Sequence, residues 1–333
     1  MPGPEPSLDV VALGNAIVDV LSHAEDGFLV QQGLHKGSMR LVGAEESDRL
    51  YQAMGPGIEA SGGSAANTVA GVASFGGRVA YIGKVRDDHL GDIFRHDIRA
   101  SGVAFDVPAA LDGPSTARCL ILVTPDAQRT MNTFLGIAAF LAPDDVDADL
   151  IGRAAITYCE GYLWDVAVAK AAIRAAMDAA HGAGRKVALA LSDGFCVERH
   201  RAEFLDLAEN RVDILFANEV EICSLYQVST FDEALARVRR HCELAFLTRS
   251  QAGSVVVAGD EVHVVDRHRA ARVVDTTGAG DLYASGVLYG LTSGSEPAAA
   301  ARLGALAAAE VISHFGARPA EPLGDLARAA ALA

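Results

Sequence analysis

Basic residues are scarce in this chain, with 28 Lys and Arg against 43 Asp and Glu for a formal net charge of −15. A phosphate polyanion is held by clustered Lys and Arg through counterion release, and no such cluster occurs, so nucleic acid is excluded as the expected partner. Cysteine is sparse as well: Cys119, Cys159, Cys196, Cys223 and Cys242 are odd in number, widely spaced and without a CxxC pair. Neither a disulfide framework nor a tetrahedral zinc site follows from them, and free thiols do. The start, Met1-Pro2-Gly3-Pro4-Glu5-Pro6, lacks the basic region and apolar core of a signal peptide. The most apolar stretch, around Ala298 to Ile312, is broken by Arg302 and Glu310, so no membrane partner is expected and a cytoplasmic protein is. Two phosphate-binding signatures are also missing: no G-x-x-x-x-G-K-[ST] occurs, and no G-x-G-x-x-G follows the first apolar run. The histidines, His89 and His241 among them, show no paired metal-ligand spacing.

What is present is the composition of a globular protein: half of the 333 residues are apolar, 21% are charged, and 33 glycines are spread along the chain. One large domain, or one with a small appendage, is the expected count. Short β-branched runs alternate with Ala-rich amphipathic segments, the pattern of a parallel sheet covered by helices. Strands are expected at Val10 to Leu13, Val79 to Ile82, Ala154 to Tyr158, Lys186 to Leu191, Ile214 to Ala217 and Ala245 to Thr248. Helices are expected at Asn67 to Phe75, Val166 to His181, Arg199 to Glu209 and Thr230 to His241. Ser254 to Val257 and Val262 to Val265, joined through Gly259-Asp260, predict a hairpin.

Leu21 to Leu50 and Thr116 to Phe134 break this succession, holding short apolar segments and turn signals without a convincing helix. In the second, Ala117, Cys119, Ile121 and Val123 share a wholly apolar strand face, while Arg118, Leu120, Leu122 and Thr124 share a mixed one. A partly exposed strand is predicted there, and both stretches are assigned to a small β subdomain that could act as a lid.

The segment richest in chemistry is Val273-Val274-Asp275-Thr276-Thr277-Gly278-Ala279-Gly280-Asp281-Leu282, where a β-branched run enters a small-residue turn that opens an apolar-periodic helix. Helix N-termini leave backbone N–H groups without intrahelical partners, so Gly278, Ala279 and Gly280 can present donors to an anion. Asp281 in the first turn is kept ionised by the helix dipole and stands where a general base for an attacking hydroxyl would be useful. Taken alone, a plain glycine turn with an Asp complementing the dipole fits equally.

Asp275-Thr276-Thr277-Gly278-Ala279-Gly280-Asp281 resembles the D-T-x-G-A-G-D signature of the ribokinase-like (PfkB) family of carbohydrate and nucleoside kinases. A second likeness stands toward the other end, in Ser61-Gly62-Gly63-Ser64-Ala65-Ala66-Asn67, then Gly71, Phe75-Gly76-Gly77 and Tyr81-Ile82-Gly83 through Gly91, which is similar to the family's N-terminal glycine signature. The resemblance runs from about Asp9 to Pro319 and implies a three-layer α/β/α ribokinase-like fold with a mostly parallel central sheet and a small β-sheet lid. It implies a kinase domain over about 8–330, with the lid inserted from about 18–50 and 114–136.

The same resemblance distributes roles. Asp281 is the implied base, Gly278, Ala279 and Gly280 the anion loop, and Arg129 a lid residue reaching toward the transferred phosphoryl. Asn15, Asp19, Gly62, Gly63 and Asn67 are the implied acceptor residues; the glycines let backbone approach a polyhydroxylated ligand, and the Asn67 amide can both donate and accept. Asn218, Glu221, Thr248, Ser250, Gly253, Thr276, Ala308 and Val311 are implied on the nucleotide side, the last two at helical spacing with Gly304, where core packing is the alternative. Glu221 would organise Mg2+ through water, which suits a hard cation that keeps its waters. Asp275 and the Thr277 carbonyl occupy places corresponding to a K+ site in the family. The expected ligands are ATP and a nucleoside, adenosine first, phosphorylated on a primary hydroxyl; a sugar kinase acting on ribose, fructose or 2-keto-3-deoxygluconate is the alternative, and a non-catalytic binding protein a third. Monomer and homodimer both remain open.

Overall fold

Alternate residues of the first strand, β1 (Leu8–Leu13), enter two different cores: Val11 and Leu13 join one apolar cluster, Val10 and Ala12 the other. A strand buried on both faces belongs to a sheet with helices on each side. The computed structural model describes residues 5–126 and 128–332. Residues 1–4, part of the stretch weighed above against a signal peptide, and Ala127, in the turn before Arg129, lie outside the described residues, as does Ala333.

After β1 come β2 (Ile17–His23), α1 (Asp26–Gln31), β3 (Met39–Leu41), α2 (Ala44–Ala53), β4 (Gly57–Gly62), α3 (Ser64–Phe75), β5 (Val79–Ile82), α4 (His89–Ala100), β6 (Ala117–Val123) and β7 (Arg129–Phe134). Then follow α5 (Ala148–Gly152), β8 (Ala154–Glu160), α6 (Ala167–Gly182), β9 (Lys186–Ala190), α7 (Gly194–Asn210), β10 (Ile214–Asn218), α8 (Glu219–Tyr226), α9 (Phe231–Val238) and β11 (Leu244–Thr248). The chain closes with β12 (Ser254–Ala258), β13 (Glu261–Val265), α10 (Ala279–Thr292), α11 (Pro297–Val311) and α12 (Leu323–Ala329).

Eight strands form the large sheet in the order β13-β12-β11-β10-β9-β8-β1-β5, parallel from β5 to β11 and ending in the antiparallel β12–β13 hairpin expected from the sequence. One face is covered by α6 to α9 through Ile173, Met177, Phe204, Leu225 and Phe231. The other is covered by α3, α4, α10 and α11 through Val69, Val72, Phe94, Ile98, Val287 and Ala301. This is the three-layer α/β/α architecture expected. β1 sits between β5 and β8, so successive crossovers leave it in opposite directions, and the crevice beyond its carboxyl end is the place such sheets offer to ligands.

A second sheet of five strands, β3-β7-β6-β2-β4, stands against the first. It draws on the two stretches that broke the pattern, and also on β4, which lies beyond the expected 18–50 boundary. Two further expectations fail here. The stretch thought to lack a helix contains α1 and α2; α1 is one and a half turns long, and α2 buries only Ser47 and Leu50, too narrow a stripe to show as periodicity. The strand thought partly exposed is buried along all of β6, because β7 and β2 flank it and α1 and α2 cover its mixed face. There Leu120 and Leu122 pack with Val20, Leu29, Leu34 and Leu50. Arg118 pairs with Asp48 and donates to Ser47 Oγ at 2.8 Å, its guanidinium 5.3 Å from the Tyr51 ring centre.

The sequence reading also does not place α4, α5 and α12; the remaining differences are at element ends. α7 begins at Gly194, five residues before the expected start, because Asp193 caps it by accepting from Cys196 N at 2.6 Å; it kinks at His200. All five cysteines are free. Among the described residues no helix is long and apolar enough to cross a membrane.

Candidate active site

The carboxyl ends of β1 and β8 meet in the crevice through one buried carboxylate. Glu160, 1% exposed, accepts from Asn15 N at 2.7 Å and Asn15 Nδ2 at 2.8 Å on Oε1, and from Ala65 N at 2.8 Å on Oε2. Burial pushes its carboxyl up to about 7, against the pull of those three donors. Glu160 thereby ties the end of β1 to the first turn of α3. The Asn15 amide is spent on this inward bond.

Across the crevice, α10 starts at Gly278, whose φ of 79° is left-handed and whose missing side chain leaves room for the Ala317 backbone, 2.8 Å from where a Cβ would stand. The Ala279 N–H bonds Thr276 O at 3.3 Å and the Leu282 N–H bonds Gly278 O at 2.8 Å, which leaves the Gly280 and Asp281 amides at the open helix end for an anion. A Cβ at Gly280 would meet nothing within 4 Å, so this turn faces open space. Asp281 beside it accepts from Ser64 Oγ at 2.7 Å and from Asn67 Nδ2 at 3.1 Å. Burial raises the Asp281 carboxyl above its ordinary value, and these two bonds hold it down in part.

Asp19 lies on β2 with its carboxylate over Gly62: a Cβ there would stand 2.3 Å from Oδ2, so only glycine fits. At Gly63, φ is 95° and a Cβ would stand 2.3 Å from Asn15 O. Burial raises Asp19 to about 7, with Arg318 and Arg129 pulling it down and Asp281 pushing it up. These four charged groups therefore share one space. Asn67, buried, donates to Asp281 and accepts from Arg318 Nε at 3.4 Å, so its amide positions the carboxylate. Arg318 also donates to Ser101 Oγ at 3.2 Å, and its buried Nη2 has no partner.

A cavity of about 270 Å³ opens from Asp281 toward the carboxyl ends of β10 and β11, lined by Ser64, Gly278, Ala279, Gly280, Thr276, Asn218, Glu221 and Thr248 over a floor of Tyr158, Phe216, Phe246 and Tyr283. Asn218 and Glu221 cap α8 reciprocally, Glu221 N donating to Asn218 Oδ1 and Asn218 N to Glu221 Oε2, both at 2.9 Å. Burial pushes Glu221 up to about 7. Four nucleotide-side expectations fall outside this cavity. Ser250 is exposed on a turn, and Gly253 is needed because a Cβ would stand 2.2 Å from Val265 O. Val311 is 0% exposed and packs with Leu282, Leu303 and Leu306, and Ala308 packs against the neighbouring core.

Asp275, 7% exposed, has both oxygens engaged. Oδ1 accepts from Thr277 N at 3.0 Å and Thr277 Oγ1 at 2.8 Å, while Oδ2 accepts from Gly316 N at 3.2 Å and lies 2.5 Å from Arg129 Nη2. Arg129 Nη1 donates to Thr277 Oγ1 at 2.9 Å. Arg129 thus spans from the small sheet to the anion loop, but it is held at Asp275 rather than free over the loop's open end.

Sequence reasoning missed Glu160, Ser64 and Arg318 as parts of this site. Ser64 lies inside the Ser61-to-Asn67 glycine-rich segment, where its position at a helix opening is a signal; nothing local marks Arg318, or Glu160 at the end of an apolar strand. Ser192, also lining the cavity, holds a left-handed φ of 76°, a strained conformation for a side-chain-bearing residue.

A helix end with open amides, a carboxylate beside it and a crevice at the strand carboxyl ends form the arrangement expected of a phosphoryl-transfer enzyme with the ribokinase-like fold. Residues 39–323 match the family described as pfkB family carbohydrate kinase, and the chain belongs to that family. It is 52% identical to adenosine kinase from Sinorhizobium meliloti, with a TM-score of 0.91 covering 97% of this chain and 99% of that one. A probable sugar kinase from Rhizobium etli CFN 42 is 49% identical, with a TM-score of 0.93 over 98% of this chain and 100% of that one. Adenosine kinase of Saccharomyces cerevisiae is 26% identical over 329 residues, 92% of this chain and 95% of the relative. The protein is a kinase whose relatives include both nucleoside and sugar kinases.

Proposed function

We propose that this kinase transfers the γ-phosphoryl of ATP to the 5′-hydroxyl of a nucleoside, adenosine first. One observation supports the nucleoside: the face of the small sheet that holds Asp19 is mostly apolar, with Arg129, Thr133 and His23 as its other polar side chains. Ile17, Leu21, Cys119, Ile121, Val123 and Met131 form one cluster on it. Arg129 and Met131 alternate onto the same face of β7, and Arg129 reaches the anion loop, so this face turns toward Asp281. A free sugar needs hydroxyl partners over most of its surface, whereas a nucleobase needs an apolar wall and only its ribose needs Asp19.

In this reading the small sheet is a lid, built from β2 to β4 (Ile17 to Gly62) and from β6 and β7 (Ala117 to Phe134), on a kinase domain spanning about 8–330. Asp281 takes the proton of the primary hydroxyl, the hydroxyl oxygen attacks the γ-phosphorus, and ADP leaves; the Gly278-to-Asp281 turn holds the charge that develops on the phosphoryl oxygens. Among the described residues no three His, Cys, Asp or Glu gather to bind a metal directly. Glu221 with the Asn218 amide offers an oxygen-rich edge of the cavity suited to hydrated Mg2+. When bound with ATP, Mg2+ supplies charge neutralisation on the phosphates. Free thiols and ATP use fit the cytoplasm, and the cover of α1 and α2 on the outer face of the small sheet favours a monomer over a lid-paired homodimer.

A second reading, an acidic sugar as acceptor, is favoured by Arg318, whose unpartnered Nη2 is buried near Asp19 and would suit a carboxylate. Measuring ADP release with adenosine, other nucleosides, ribose, fructose and 2-keto-3-deoxygluconate separates the two. Adenosine-dependent release supports the first reading, release only with a sugar overturns it, and silence on every acceptor counts against both.

A further inference from the structure

We propose that the Arg129 guanidinium stands in the place of a monovalent cation at Asp275, so that this kinase works without K+. The proposal rests on the kinase assignment and not on the choice of acceptor. A monovalent cation needs oxygen lone pairs that no stronger donor occupies. Both Asp275 oxygens are engaged: two donors from Thr277 lie on Oδ1, while Oδ2 accepts from Gly316 N and is ion-paired with Arg129 Nη2 at 2.5 Å. The Thr277 hydroxyl, which donates to Asp275, accepts from Arg129 Nη1 at 2.9 Å, so it is engaged as well. The Phe315 ring lies beside the guanidinium, its centre 5.5 Å from the guanidinium carbon. A second cation here would be repelled by the guanidinium at close range in a site with little water.

The arrangement has an electrostatic purpose. Asp275 is three residues before Gly278, and an uncompensated carboxylate there would oppose binding of phosphate at the anion loop. A diffusible ion would cancel that charge whatever the small sheet does. Arg129 belongs to β7, so the charge is cancelled by a side chain of the small sheet itself, and the loop is ready for an anion only when that sheet is docked.

The test follows ADP release and the melting temperature of the whole chain against KCl, with tetramethylammonium chloride holding ionic strength near about 0.1 M. Wild type is expected to respond to K+ in neither measurement. Arg129→Ala should be slow without K+ and gain about threefold or more in rate with it, together with a K+-specific rise in melting temperature. Arg129→Lys, which keeps a cation, should stay indifferent, and Arg129→Ala combined with Asp275→Asn should lose the K+ response. A wild type that K+ activates or stabilises would overturn the proposal, as would an Arg129→Ala variant that ignores K+. Because melting is read without any acceptor, failure here is distinguishable from a wrong substrate.

Discussion

Ser64 and Asp281, 217 positions apart in the chain, are joined by a 2.7 Å hydrogen bond from the Ser64 hydroxyl to the carboxylate. The bond connects the N-terminal turn of α3 to that of α10, so the glycine-rich turn before α3 and the anion loop before α10 converge on one oxygen pair. Asn67, one turn along α3, holds the second oxygen at 3.1 Å. With both oxygens fixed, the carboxylate is oriented before any ligand arrives, which is how a base contributes to a reaction that otherwise needs mainly alignment.

Replacing Asp281 by Asn removes the proposed base and keeps the shape. Turnover is expected to fall by about 10²–10⁴-fold with folding and ATP binding retained. Single-turnover rates alongside ATP titration check this, and a near-normal rate would remove Asp281 from the reaction.

The pH profile carries a sign. In the proposed reaction Asp281 must be ionised to accept a proton, and burial raises its carboxyl, so activity is expected to be lost as pH falls through a value above the group's ordinary one. The Ser64 hydroxyl favours the ionised form. Ser64→Ala therefore raises the Asp281 value further and moves the acidic limb of kcat/KM to higher pH. An unmoved limb would mean that another group limits the rate.

Gly62→Ala puts a methyl where the Asp19 carboxylate lies, 2.3 Å from Oδ2. Asp19 must turn away, and the acceptor KM is expected to rise about tenfold while the KM for ATP holds. Equal changes in both constants would indicate a general distortion of the site.

Glu160→Ala strips the acceptor from the Asn15 and Ala65 amides and should cost about 3 kcal/mol in denaturant unfolding. The raised carboxyl adds a pH signature. Its reference value is 4.5 and its folded value about 7, so the stability it contributes is complete below the first and lost as pH rises through the second. The variant should show a flatter stability curve across that window than wild type. A parallel curve would mean that Glu160 does not titrate there.

Sequence patterning reached the large sheet because its strands are short β-branched runs bounded by turns, and it reached the anion loop because seven consecutive residues, Asp275 to Asp281, carry that signature. It did not reach α1 and α2, whose buried stripes are a few residues wide. Glu160 was invisible for a different reason: its partners, Asn15 and Ala65, are 145 and 95 positions away. The engagement of Asp275 by Arg129 likewise depends on two sheets meeting, which spacing along the chain does not express.

The most direct test of the acceptor assignment is a competition. The protein, ATP and magnesium are given adenosine, ribose, fructose and 2-keto-3-deoxygluconate together, and the phosphorylated product is identified by phosphorus NMR and mass. The account predicts adenosine 5′-monophosphate as the main product; a phosphorylated sugar formed while adenosine remains untouched would contradict it.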